Sequence, residues 1–187
     1  MKATPSDRVR IWNTFFGLAW NQAREVYECE HACEIDDSFR PLGGTLDRDT
    51  TLAIGTLLMC ALAIEARTNH LIEELVDNGI ISRSAGDAAQ WLRSEEKWFL
   101  LPRLAGKRGD LDADRQPHQA IREICAFRND LIHVKYKSLA TKLPPSPAKV
   151  LSLYENFVVA MEDMNVVLGR KRRARKRVLA LGKFRCE

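Results

Sequence analysis

Apolar residues recur at three- and four-residue steps along most of the chain, the period of an amphipathic α-helix. Val9, Trp12, Phe16, Trp20, Ala23 and Tyr27 set one face of a first helix, expected from a cap at Ser6 or Asp7 to about Cys33. Ile11, Phe15 and Leu18 add a second strip, which asks for two neighbours in one bundle or for a neighbour and a second subunit. Pro41, Gly43 and Gly44 break the period, so residues 34–48 read as a loop. A second helix is expected from about Asp49 to Asp77, stopped by Asn78-Gly79. A short helix follows around Ala85 to Leu92, then another from a Ser94 cap to about Leu104, with Glu95 and Glu96 at its positive end. Residues 106–116 (GKRGDLDADRQ) form a loop, and Pro117 opens a helix that ends near Lys137. The stretch LPPSP at 143–147 is a break. A last helix starts from a Ser146 cap with Pro147 first, carrying Val150, Leu153, Tyr154, Phe157, Val158, Met161 and Leu168. No strand signal and no internal repeat stands out. The pattern predicts an all-α protein, a bundle of four or five main helices. Residues 1–169 are expected to form one domain, with 170–187 as a basic tail or helix extension.

Composition changes this picture only at one end. With 187 residues, 45% apolar and 29% charged, the chain suits a single ordinary globular domain and not global disorder. Lys and Arg number 29 against 25 Asp and Glu, a net +4. Arg170, Lys171, Arg172, Arg173, Arg175, Lys176 and Arg177 supply seven of those cations; without them 22 basic face 25 acidic residues, a body of −3. That short run suits RNA, DNA or an acidic partner by Coulomb attraction, and a solvated helix end would carry the same charges. No apolar run approaches the ~20 residues of a bilayer span, and the first residues lack a secretory apolar stretch, so no membrane partner is expected. Five cysteines, an odd number at irregular spacing, point to reduced thiols in a cytoplasm. Cys29 and Cys33 share a helix face, but His31 points away from them and no second pair completes a tetrahedron. No glycine-rich phosphate loop is present. Neither a metal nor a cofactor is expected.

Two charges stand in apolar company. On the helix from Ile121, the residues Ile121, Ile124, Cys125, Leu131 and Ile132 gather into one arc, and Arg128 falls near its middle. Arg is rarely buried unless paired, so Arg128 needs a carboxylate, a phosphate or open water. On the second helix Ile54, Leu57, Leu58, Ala61, Thr68, Ile72 and Leu75 form a stripe with Glu65 at its centre. An isolated buried carboxylate costs several kcal/mol or takes up a proton. The economical arrangement is that Glu65 faces Arg128 across the bundle, with Asn69 one turn further as a hydrogen-bonding neighbour. A pair that does no more than fix helix register satisfies the same wheel. His133 lies five residues past Arg128 at the rim of the arc, and Asn129 shares its face.

The segment ICAFRNDLIHVKYK (124–137) resembles the Arg-(four to six residues)-His motif of the HEPN superfamily, all-helical nucleotide-binding domains. A second Arg–His spacing, Arg24 to His31, lacks the Asn that usually follows the Arg; Asn129 follows Arg128 directly. ALAIEARTNHLIEEL (61–75) resembles the earlier helix whose Glu and Asn face the motif, and SEEKWFLLPRLAG (94–106) the segment between them. The resemblance covers roughly residues 50–168. It implies a HEPN-like up-and-down bundle that pairs into a homodimer, with two motifs meeting at the cleft to cut RNA without a metal. By that resemblance His133 is the general acid or base for attack of a ribose 2′-hydroxyl on the adjacent phosphate. Arg128 holds the phosphate, Asn129 positions groups around the cleft, and Glu65 orients Arg128. Members of this kind act in defence or as toxins, some with a protein antitoxin. Toxins with a nucleotidyltransferase partner often carry Tyr two residues after the His; here that position is Lys135, which keeps the chain out of that subgroup. Other members bind nucleotides or proteins without cutting, the alternative reading for this chain.

Overall fold

The computed structural model describes residues 5–31, 48–107, 111–132 and 145–170, and among them every regular element is helical. The helices are α1 (Pro5–His31), α2 (Arg48–Asp77), α3 (Arg83–Gln90), α4 (Ser94–Leu104), α5 (His118–Ile132) and α6 (Pro147–Val167). Several ends follow the chemistry of the sequence, but α1 begins at Pro5, ahead of the expected Ser6 or Asp7 cap, and α3 runs Arg83–Gln90 from a Ser82 cap and not from Ala85 to Leu92. The Ser146 hydroxyl accepts the Lys149 N–H and Pro147 occupies the first turn of α6, where its missing N–H costs nothing. Gly79, just past α2, takes φ +67°, a backbone shape that a β-carbon would strain. The cap of α4 is Arg93 and not Ser94. Glu96 reaches back to accept the Arg93 N–H at 2.9 Å, and a glutamate at the third helical position counts the cap to residue 93.

α2 is the hub. It packs against α1, α3, α4, α5 and α6, while α1 and α5 each also meet α6, so the four long helices enclose one core. Phe157, Tyr154, Trp98, Leu57, Ile64, Ile121 and Ile124 are among its fully buried side chains. A helix with neighbours on several sides must bury more than a stripe. Accordingly Ala53, Leu57, Cys60, Ile64, Arg67, Thr68 and Leu71 are all buried, whereas Ile54 and Leu58 are only half-buried. By length and apolar content Thr50–Asp77 is also a helix that could cross a membrane, a feature that core helices share. On α1 the buried face is Phe16, Ala19, Ala23 and Val26; Ile11 and Leu18 of the second strip remain exposed.

One core residue gives the fold a pH dependence. Buried His118 accepts the Trp98 indole N–H on Nδ1 at 3.4 Å, which leaves Nε2 to carry the proton toward Asp163, 3.9 Å away. Burial lowers the His118 pKa below the ordinary 6.5, outweighing the opposing pull of Asp163 and Asp112. The unfolded chain therefore takes up this proton at a higher pH than the folded one. Stability should fall as pH drops through about 6.5 and below. Urea denaturation at pH 7 and pH 5.5 should show a smaller acid loss for His118→Gln than for the parent protein. Equal losses would show that His118 titrates alike in both states.

Candidate functional site

The ion pair expected between Glu65 and Arg128 is present. Arg128 Nη2 donates to Glu65 Oε2 at 3.4 Å, and Nη1 donates to Asn129 Oδ1 at 3.0 Å. A guanidinium has five N–H donors, so these two bonds leave others for an incoming anion. The pair lines a groove of about 220 Å³ with Ala61, Cys125, Asn129 and the α3–α4 junction.

The setting differs from the sequence expectation in one respect. Neither charge is at the centre of a buried stripe: side-chain exposure is 32% for Arg128 and 38% for Glu65. The buried arc of α2 is rotated toward Leu57, Ile64 and Leu71, which puts Glu65 just outside its edge. On α5 the angle was right but the depth was not. Ile121, Ile124 and Cys125 are buried, while Ile132, about two to three turns on along the same arc, is 57% exposed. Arg128 is the residue at which that face passes from core to groove. An ion pair with this much water contact contributes roughly 0–1 kcal/mol, against about 3–5 kcal/mol for breaking a buried one. Glu65→Ala should therefore lower unfolding stability by about 1 kcal/mol in a denaturant titration. A loss near 4 kcal/mol would mean that water is shut out of the pair.

Asn69 is a neighbour of a different cation. Its Oδ1 accepts from Lys97 Nζ at 2.7 Å, and Lys97 is buried. Burial lowers the Lys97 pKa, and the nearby Glu65 charge partly restores it. Glu65 thus serves two cations, Arg128 from α5 and Lys97 from α4. Lys97 escaped the sequence reading because Lys-Trp after Glu-Glu looks like the exposed start of a helix. Arg67 escaped too, although the spacing Cys60, Ile64, Arg67, Leu71 would have found it. It is buried on α2 and donates to Asn165 Oδ1 of α6 at 2.7 Å. Cys125 lines the groove as a thiol, its pKa pushed up to about 12 mainly by burial, so it is no nucleophile at neutral pH.

His133, Cys33 and the basic residues Lys171, Arg172, Arg173, Arg175, Lys176 and Arg177 lie outside the described residues. Arg170 is described: its Nη2 is 2.5 Å from Glu74 Oε1, which ties it to α2. Arg24, of the second Arg–His spacing, pairs with Glu28 on its own helix at 3.4 Å and lies over the Trp20 ring. Among the described residues no group of three or more His, Cys, Asp or Glu could hold a metal ion. The chain matches no family model, no curated protein and no solved structure.

Proposed function

We propose that this protein is a metal-independent endoribonuclease of the HEPN type, acting as a cytoplasmic homodimer in defence or as a toxin. The observation that carries the reading is Arg128 itself. Its guanidinium stands where an apolar helix face opens to a groove, oriented by Glu65 and Asn129 and with donors to spare. Such a fork suits a phosphate, which it can bind through two parallel N–H bonds. His133, next in the chain after the last described residue of α5, supplies the acid or base by the motif resemblance. Attack of the 2′-oxygen forms its bond to phosphorus and breaks the bond to the 5′-oxygen. The proton of the 2′-hydroxyl leaves to a base, and the departing 5′-oxygen gains one from an acid. The products are a 2′,3′-cyclic phosphate and a 5′-hydroxyl. Pairing into a dimer is part of the same proposal and comes from the motif resemblance. The test is incubation of the pure protein with mixed RNAs, with and without EDTA, beside the His133→Ala variant. Binding without cutting by a confirmed dimer would replace this reading with that of a non-catalytic binding module.

A further inference from the structure

Trp91 is 91% exposed, while Trp98, seven residues later, is fully buried. A Trp side chain has some 150–250 Å² to bury, so one left in water forfeits a large share of what it can contribute to a core. Single exposed apolar residues are common, and exposure alone would carry nothing. The position of this one does. Trp91 caps the C-terminus of α3, where its N–H bonds to the Ala88 carbonyl, so its backbone is held by a helix end. It lines the same groove as Glu65, Arg128 and Asn129.

The groove has the chemistry of one particular ligand. Both of its carboxylates are neutralised by arginines: Glu65 by Arg128, and Glu95 by Arg122 Nε at 3.2 Å. Arg93 at the rim bonds Glu96 through Nε and Nη2, the latter at 2.6 Å, and like Arg128 keeps further N–H donors. What remains for a ligand is Trp91 at the groove's edge, the spare donors of Arg128 and Arg93, and the polar edges of Asn129 and Ser94. An aromatic side chain, cationic donors and a few polar groups around one groove suit a base and its phosphate.

We infer that Trp91 stacks on a nucleobase of single-stranded RNA whose phosphate is held by Arg128. This rests on the RNA reading above and adds the residue that grips the base. Stacking tolerates any base, because every base offers a π face. The site should therefore favour unpaired over paired RNA and show little sequence preference.

The probe is a short 2′-O-methyl oligoadenylate, which lacks the attacking hydroxyl and so reports binding without cleavage. Titrated into the full-length protein, it should quench the part of the Trp emission that is missing in Trp91→Phe. Trp91→Ala should bind it about 5- to 150-fold more weakly, and Trp91→Phe should keep most of the affinity. The salt dependence of Trp91→Ala binding should match that of the parent, since its phosphate contacts remain. Its exposure means that Trp91→Ala should fold normally, which circular dichroism checks. Equal affinity of Trp91→Ala and the parent would overturn the inference and leave the nuclease reading untouched. So would a Trp91 signal that responds to protein concentration and not to oligonucleotide, which would make Trp91 a contact between copies. Tight, Trp91-dependent binding with no cleavage of unmodified RNA would sink the nuclease reading and leave this one standing. No oligonucleotide binding at all would end both.

Discussion

On the proposed nuclease reading, His133→Ala should abolish RNA cleavage, and Arg128→Ala should do the same. Removing a general acid or base typically costs about 10²–10⁴ in rate, a loss that an RNA gel resolves easily. Arg128 is expected to matter as much, because charge that builds on the phosphate in the transition state has a guanidinium waiting in the groove. Arg24→Ala and His31→Ala should cut nearly as fast as the parent, since Arg24 is engaged with Glu28 and Trp20 on α1. EDTA should not inhibit, and the product should carry a 2′,3′-cyclic phosphate. Arg128→Ala breaks the pair with Glu65, but that pair is about one-third exposed, so both variants should remain folded. Parent-like cleavage by His133→Ala would defeat the mechanism.

Trp98→Ala should be the most damaging core change, lowering unfolding stability by about 3–5 kcal/mol. Trp98 is fully buried on α4, and its indole lies beside the His118 ring, with centroids 6.3 Å apart. Truncation leaves a large cavity and also strips the buried His118 of its hydrogen-bond donor. Trp98→Phe separates the two effects. It keeps most of the packing and loses the bond, so it should cost about 1–2 kcal/mol. Chemical denaturation of the three proteins side by side measures both numbers. A loss below about 1 kcal/mol for Trp98→Ala would mean that the α4–α5 seam can collapse into the space.

Helix content and some helix ends were legible in the sequence because both are local; the starts of α1, α3 and α4 fell one to two residues from their expected places. Proline, glycine and cap residues act on their own few neighbours, and the 3.6-residue period needs no partner to be read. The Ser146 cap and the Asn78-Gly79 stop lie where that chemistry put them. The Glu65–Arg128 pair was also legible, since each charge interrupts an apolar run and each must be answered by something.

Depth was not legible. A helical wheel assigns a direction to each side chain but not the distance to which neighbouring helices extend along it. Tertiary packing therefore decided that Arg128 opens to a groove while Cys125, one turn earlier, is buried. Packing also made α2 the hub, and that moved the buried charge on this helix from Glu65 to Arg67. Asn69 found Lys97 instead of the ion pair because α4 crosses α2 at that level, a meeting of residues 28 positions apart. Trp91 and Trp98 have the same side chain within one short stretch, yet one lies in water and the other in the core. Residue type and period determined that the described residues are helical and, to within a residue or two, where most of those helices begin. Which faces met water, and so which groups can reach a ligand, followed from contacts between distant segments.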